Sequence, residues 1–238
     1  MKHKRFGVIG AMDSEIQHLI DAMTDLTTER YADLTFYRGN LGDEELVLVK
    51  CGIGKVNAAR CAQMLIDRYT PDFLINTGIA GGIGDDLQVG DLVIASELVQ
   101  HDFDISRFGH ARGYVPPFGD GKQPSVFRSN EAMVQAFLRT VSAFLPQNRV
   151  RIGRIATGDL FVADASAKRL LKQDFSAIAV EMEGGAIAQT AEANGVPFLV
   201  ARAISDLADG TAAESFDAFE KETADLSARV TEAYIRSF

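Results

Sequence analysis

Three apolar stretches of the sequence each end in acidic residues. Glu15 follows the first stretch, the pair Glu181 and Glu183 follows a later one, and Asp206 follows the last. In open α/β sheets the carboxyl ends of the strands share one edge, where ligands bind, so we expect these side chains to lie at one rim. Buried carboxyl groups need partners or protons and have shifted pKa values. The pattern therefore indicates a pocket whose carboxyl groups transfer protons or bind a polar ligand.

Each of these acids also has a purely structural interpretation. Glu15 lies in a predicted first helical turn, where the helix dipole favours a negative charge. Asp206 is placed to cap a helix that follows it. Glu181 and Glu183 are two residues apart, so on an extended chain their side chains point to the same side. Position alone leaves the structural and the functional interpretation open for all four.

Seven short apolar runs, rich in valine and isoleucine, predict strands. Several are continuous rather than alternating, such as LVLV, FLIN and AIAV, which is typical of strands buried on both faces. The predicted strands lie within Phe6–Met12, Glu45–Gly52, Asp72–Gly82, Asp91–Gln100, Val150–Gly158, Ala177–Glu183 and Pro197–Asp206.

Helical periods separate these runs. Apolar residues recur with helical spacing between Ile16 and Met23, and Asp13 or Ser14 is placed to cap that helix. Strands that alternate with helices predict an α/β fold around a largely parallel or mixed sheet. No repeat or linker divides the chain, which favours one domain over residues 1–238. The other predicted helices are 55–69, 130–145, 166–173, 186–193 and 216–235.

Composition and charge argue against several classes of function. The 238 residues carry a net charge of −9 and no basic run interleaved with aromatics, which is unfavourable for nucleic acid binding. The first apolar stretch is too short to cross a bilayer and has no signal-peptide cleavage pattern. We therefore expect a cytoplasmic protein whose two cysteines, Cys51 and Cys61, are reduced thiols.

Familiar cofactor and nucleophile motifs are absent from the sequence. It has no Walker loop, Gly-x-Ser-x-Gly elbow or Cys-x-x-Cys pair, and its four histidines lack metal-ligand spacing. The segment Cys51–Asn57 has only the first two glycines of a dinucleotide fingerprint. Asn76–Gly82 indicates a tight turn, either a plain one or one that lets a ligand approach the backbone. We expect neither a metal nor a cofactor.

Taken in order along the chain, these segments resemble the 5′-methylthioadenosine/S-adenosylhomocysteine nucleosidases of the nucleoside phosphorylase superfamily. The resemblance covers essentially the whole chain, through GVIGAMDSE, KCGIGKVNAA, NTGIAGG, VGDLVIAS, TGDLF, AVEMEGGAIA, VARAISDLAD and SFDAF. It implies a three-layer α/β/α sandwich with a central mixed, partly barrel-like sheet, assembled as a homodimer. It also implies hydrolysis of the N-glycosidic bond of methylthioadenosine and adenosylhomocysteine to adenine and a thioribose product.

The resemblance implies catalytic and ribose-binding roles for matching residues. Glu15 is expected as the general base that activates water, and Asp206 as the acid that protonates adenine N7. Glu183 is expected to bind the ribose hydroxyls, helped by Met182 and Arg202. Because glycosidic cleavage builds positive charge on the sugar and negative charge on the base, the two catalytic groups need opposite protonation states. Free aspartate titrates near 3.9, so burial must raise the pKa of Asp206.

Further contacts to the base and to the 5′ thioether follow from the same resemblance. Phe161 is expected to stack on adenine while the backbone of Val162 contacts its edge, and Ser205 is expected to orient Asp206. Taken individually, an aromatic such as Phe161 or Phe216 is more often a core residue than a ligand contact. The 5′ pocket is expected to be formed by two subunits, with Met12, Ile53 and Phe216 from one and Phe108 and Pro116 from its neighbour. Phe108 and Pro116 lie in the glycine- and proline-rich segment 101–129. This segment is predicted to be a long surface loop, and such loops are usually functional or mobile.

One position departs from the resemblance, and three rival functions stay open. Related chains generally read NTGSAGG, whereas this one has Ile79, which removes a hydroxyl near the sugar and adds apolar bulk. The rivals are a purine nucleoside phosphorylase, an aminodeoxyfutalosine hydrolase and a non-catalytic nucleoside-binding protein. A phosphate site favours arginines near the first glycine turn, where this chain has Asp13 and Glu15. A binding protein has no need of the acids that this chain keeps.

Overall fold

Residues 3–238 are described by a computed structural model, in which strands and helices alternate along the chain. The helices are α1 (Asp13–Ala22), α2 (Lys55–Tyr69), α3 (Glu131–Val141), α4 (Ala165–Phe175), α5 (Gly184–Ala193) and α6 (Ala212–Ile235). The strands are β1 (Arg5–Gly10), β2 (Thr24–Tyr31), β3 (Leu34–Leu41), β4 (Glu44–Lys50), β5 (Phe73–Asn76), β6 (Ile79–Gly82), β7 (Leu92–Gln100), β8 (Phe127–Arg128), β9 (Val150–Thr157), β10 (Ala179–Glu181) and β11 (Phe198–Asp206).

The sheet is mixed, and part of it closes into a barrel. Its spatial order is β2-β3-β4-β1-β5-β11-β6-β10-β9-β7-β8. β1 pairs in parallel with β4 and β5, whereas the edge strands β2 and β3 pair antiparallel. β11 pairs in parallel with β5 and β6 and antiparallel with β7. The strands β11, β6, β10, β9 and β7 therefore form a closed ring, which confirms the expected mixed sheet.

Helices cover both faces of the sheet, which explains the continuous apolar runs. The helices α2 and α5 pack on one face, and α1, α3 and α6 pack on the other. Along β4, Val47 and Val49 belong to the first of these cores, and Leu46 and Leu48 belong to the second. Successive side chains of a strand point to opposite faces, so a strand between two helical layers needs apolar residues at every position. The three-layer α/β/α arrangement expected from the sequence is confirmed.

Several local predictions were wrong, and the strands β2, β3 and β8 were not predicted. The polar strand β2, TDLTTERY, is exposed along nearly its whole length and therefore carries no apolar signal. The run predicted as one strand over 72–82 is two strands, interrupted at Thr77 and Gly78. Neither Asp13 nor Ser14 caps α1, because Met12 is its cap residue.

Two further observations concern the whole of the described chain. None of the helices within residues 3–238 is both long enough and apolar enough to cross a membrane. Cys51 and Cys61 are buried and are not joined in a disulfide.

Candidate active site

A cleft of about 610 Å³ opens where β1, β10 and β11 end, the edge at which ligands bind in α/β sheets. The lining combines four carboxyl groups with an apolar and aromatic wall. It consists of Ala11, Met12, Glu15, Ile53, Ile79, Ala80, Gly81, Leu160, Phe161, Val162, Val180, Glu181, Met182, Glu183, Ser205, Asp206 and Phe216.

Backbone N–H groups from two segments hold the Glu15 carboxylate. Its Oε2 accepts hydrogen bonds from the N–H groups of Ala11 (2.5 Å) and Met12 (3.1 Å), and its Oε1 accepts one from Ile79 (3.1 Å). Burial raises the pKa of Glu15, while Arg202 and these three donors oppose that rise. A carboxylate offers about four lone-pair positions, so Oε1 keeps one for a water in the cleft.

The glycine turn between β5 and β6 makes room for this carboxylate. Gly78 has φ of +150°, and a Cβ atom there would clash with Glu15 Oε1 and lie 2.6 Å from Arg202 Nη1. Only glycine fits such a backbone position. The first glycine of the Asn76–Gly82 motif is therefore needed for the approach of two side chains of the protein itself.

Arg202 lies behind the carboxylates rather than on the cleft surface. Its Nη2 donates to Asn76 Oδ1 at 2.5 Å and to Glu181 Oε2, and it lies 3.7 Å from Glu183 Oε2. The side chain is 1% exposed, and Arg202 does not line the cleft. The structure thus places this residue against the carboxylates, whereas the resemblance implied a direct part in ribose binding. A buried charge needs such partners.

Glu181 and Glu183 differ sharply in their hydrogen bonding. Besides Arg202, Glu181 accepts from Thr157 Oγ1 and from the N–H groups of Glu183 (3.0 Å) and Gly184 (2.6 Å). Four donors therefore hold this carboxylate, three of them at Oε2. The two side chains are brought to the cleft by a turn of the chain and not by extended spacing, because β10 ends at Glu181 and Glu183 has φ −130° and ψ −42°.

Glu183 keeps free acceptor positions that face the cleft. Its Oε1 accepts one hydrogen bond, from the N–H of Gly54 at 2.9 Å. Burial and the neighbouring Glu181 carboxylate raise the pKa of Glu183 to about 8, although Arg202 opposes the rise. Glu183 is therefore the acid of this pair that is available to a ligand hydroxyl.

The raised pKa of Glu183 predicts that the ligand-free protein loses stability as the pH rises. Its pKa of about 8 in the folded state exceeds the ordinary value of 4.5, so the folded state binds this proton more tightly than the unfolded state. The resulting stabilisation is fully present below the unfolded pKa and is lost as the pH rises through the folded pKa. As the pH rises from 4.5 to about 8, we expect the Tm of the wild type to fall relative to the Tm of Glu183→Gln.

Thermal unfolding across the same pH interval measures this effect. The exposed Glu192 provides the matched control, because Glu192→Gln removes one carboxylate without removing a buried proton site. Wild-type and Glu183→Gln curves that stay parallel at all pH values would contradict the assignment.

Asp206 ends β11 with both carboxyl oxygens engaged. Its Oδ1 accepts from the N–H of Ala208 at 2.8 Å, and its Oδ2 accepts from Ser205 Oγ at 2.9 Å. The residue is 2% exposed, and burial raises its pKa, opposed mainly by those two donors. It caps no helix, since α6 begins at Ala212 and its cap residue is Thr211. The structural interpretation of Asp206 was therefore wrong.

The apolar wall of the cleft is aromatic at its mouth. The rings of Phe161 and Phe216 meet edge to face, with centroids 5.7 Å apart and an interplanar angle of 86°. Phe161 is 43% exposed, so one of its faces is open to a planar ligand. Phe108, which is 81% exposed, and Pro116, which is also exposed, lie outside the cleft of their own chain.

The cleft thus brings together eleven of the fourteen residues predicted from the sequence, all except Arg202, Phe108 and Pro116. The prediction missed the lining residues Ala11, Ala80, Gly81, Leu160 and Val180 and the N–H donor of Gly54. Their side chains are apolar or, in glycine, absent, so they carry little chemical signal in a sequence. Their position beside the predicted residues was the one usable indication.

Comparisons with known proteins agree with this geometry. The family model of the phosphorylase superfamily matches residues 5–236. A Staphylococcus haemolyticus protein named 5′-methylthioadenosine/S-adenosylhomocysteine nucleosidase is 39% identical over 97% of this chain and 98% of its own. The structure of the Neisseria meningitidis nucleosidase of that name, in complex with methylthio-immucillin-A, has a TM-score of 0.93 at 38% identity and covers 99% of this chain and 100% of its own. A Helicobacter pylori futalosine hydrolase has a TM-score of 0.91 at 30% identity and covers 99% of this chain and 98% of its own.

Proposed function

The chain belongs to the phosphorylase superfamily, and we propose that it hydrolyses the N-glycosidic bond of 5′-methylthioadenosine and S-adenosylhomocysteine. The products are adenine and the corresponding 5-thioribose. The main support for this proposal is the cleft, in which Glu15, Glu183 and Asp206 line one space beside the exposed ring of Phe161. Relatives that match over nearly the whole chain are named as nucleosidases for these two compounds. The enzyme is therefore an N-glycosyl hydrolase of purine nucleosides.

Asp206 supplies the proton that the departing base needs. Cleavage moves the electrons of the glycosidic bond onto adenine, and protonation at N7 neutralises that charge. Burial raises the pKa of Asp206, which favours the protonated form that an acid catalyst must have. The contacts to Ala208 and Ser205 hold the carboxyl group in position before the reaction begins.

Glu15 and Glu183 act at the sugar. As the bond to adenine breaks, the ribose gains oxocarbenium character, which nearby carboxylates stabilise. Glu15 accepts a proton from the attacking water through the free lone pair of Oε1. Glu183 accepts hydrogen bonds from the ribose hydroxyls, next to Met182. Phe161 stacks on adenine and the backbone of Val162 contacts its edge.

The charges of the cleft favour water over phosphate as the nucleophile. Among the described residues, the lining of the cleft includes four carboxyl groups and neither arginine nor lysine. A phosphate dianion is recognised by guanidinium groups, and the ionised Glu15 that acts as the base would repel it. The guanidinium of Arg202 lies behind the lining and donates to Asn76 and Glu181.

The wide mouth of the cleft supports a dimer as the working form. Phe108 is 81% exposed and Ile53 is 54% exposed, so burying both side chains at a subunit interface would remove apolar surface from water. In the proposed homodimer, Phe108 and Pro116 of one subunit close the 5′ pocket formed by Met12, Ile53 and Phe216 of the other. We place the enzyme in the cytoplasm and assign the whole chain to one catalytic domain.

Release of free base tests the function directly. The purified protein is incubated with methylthioadenosine, adenosylhomocysteine, adenosine and inosine, each with and without phosphate. We expect adenine from both thioethers without phosphate. A requirement for phosphate would make the protein a phosphorylase, and binding without turnover would make it a nucleoside-binding protein. Aminodeoxyfutalosine is tested alongside these nucleosides, and its faster cleavage would assign the protein to the rival class of aminodeoxyfutalosine hydrolases.

A further inference from the structure

Lys55, Asp102 and Asp159 form a closed ring of hydrogen bonds beside the cleft. The N–H of Lys55 donates to Asp159 Oδ1 at 2.7 Å, and the N–H of Asp159 donates to Asp102 Oδ2 at 2.8 Å. The ring closes through Lys55 Nζ, which donates to Asp102 Oδ1 at 2.5 Å. Each residue thus contacts the other two. We call this set the Lys55 triangle.

The corners of the Lys55 triangle belong to three separate segments of the chain. Lys55 directly follows Gly54, whose N–H holds Glu183. Asp159 directly precedes Leu160, Phe161 and Val162, which line the base side of the cleft. Asp102 follows β7 at the start of the loop that carries Phe108. The triangle therefore lies between the parts of the protein assigned to the ribose, to the base and to the neighbouring 5′ pocket.

The triangle is sheltered enough to keep a defined geometry. The side chain of Lys55 is 16% exposed and that of Asp102 is 29% exposed, so the ion pair is screened less than one on the open surface. Lys55 Nζ also lies 3.3 Å from Gln100 Oε1, and Gln100 in turn donates to Gln189. Hydrogen bonds in such a network reinforce one another.

We infer that the Lys55 triangle is a positioning element. It sets the distance between the Gly54 N–H, which orients Glu183 toward the ribose, and the segment Leu160–Val162, which holds the base. This role rests on the proposed function. A nucleoside must reach both groups at once, so its binding depends on the distance between them. Adenine alone contacts only the base segment, so its binding does not depend on that distance. Lys55, Asp102 and Asp159 act through their neighbours and do not touch the substrate.

The test compares a whole substrate with a fragment of it. In Lys55→Met and in Asp102→Asn, we expect the KM for methylthioadenosine to rise about tenfold, the scale of loss when two aligned groups become misaligned. The inhibition constant of free adenine is expected to change by less than about twofold, because each half of the site keeps its own contacts. The double variant is expected to match the single ones, since both remove the same interaction.

Two control variants accompany this comparison. Lys55→Arg keeps a cation at the corner and is expected to restore most of the affinity for methylthioadenosine. Lys172→Met breaks a comparable ion pair with Asp85, at an exposed position that does not line the cleft, and is expected to leave the KM unchanged.

Failure of the inference can be told apart from failure of the proposed function. A wild-type protein that releases no adenine would overturn the proposed function. If the wild type is active, an unchanged KM in Lys55→Met and Asp102→Asn would overturn the inference alone. So would an adenine inhibition constant that rises as much as the KM, because the triangle would then support only the base segment.

Discussion

Replacing Asp206 by asparagine is expected to lower kcat at least about 100-fold, since a general acid commonly contributes that much or more. Asparagine has nearly the same shape and can keep the hydrogen bond from the N–H of Ala208, so the fold should remain intact. It has no acidic proton to give to adenine N7. Steady-state turnover of methylthioadenosine measures the loss, and denaturant unfolding checks that the variant is folded.

The neighbouring Asp209 provides the matched control for this variant. Its carboxylate accepts from the N–H and hydroxyl of Thr211 and stabilises a turn, so Asp209→Asn should keep most of the activity. In the wild type, kcat should also fall as the pH rises through the raised pKa of Asp206, because the acid form disappears. Near-normal turnover by Asp206→Asn would remove the role assigned to this residue.

Glu15→Gln is expected to reduce kcat by a similar factor, at least about 100-fold. The amide of glutamine cannot take a proton from the attacking water. Glutamine also has one acceptor oxygen where Glu15 uses two, so an N–H group such as that of Ile79 loses its partner. That unpaired donor should cost about 1–3 kcal/mol of stability, less than the stability of a typical domain.

A binding measurement and a control variant at the nearby Asp13 make the Glu15→Gln test specific. Glu15→Gln should still bind methylthioadenosine in equilibrium dialysis, because the ribose and base contacts remain. Asp13→Asn removes a charge from the same first helical turn, where Asp13 pairs with Lys50 at the surface. If Glu15 serves only the helix dipole, the two variants will lose similar, small amounts of activity. If Glu15 is the base, only Glu15→Gln loses turnover.

The sequence was sufficient to predict the layered fold and the edge at which the site lies. Strands such as β4 are apolar at every position because helices cover both faces of the sheet, and this local pattern is visible without coordinates. The acids Glu15, Glu183 and Asp206 lie at or shortly beyond the ends of such strands, and strand ends in α/β sheets share an edge. The ordered motifs then indicated the family, and with it the class of reaction.

Tertiary structure alone decided what each acid is free to do. Glu181 and Glu183 look equivalent in sequence, but Glu181 is held by four donors that include Thr157 and Arg202, which are distant along the chain. The polar hairpin of β2 and β3 and the Lys55 triangle were equally invisible, whereas the barrel-like sheet was expected from the resemblance alone. The hairpin was missed because β2 is exposed and carries no apolar pattern. The bonds of Glu181 and of the Lys55 triangle join residues far apart in sequence, and such pairings leave no periodic pattern because only the folded chain brings the partners together.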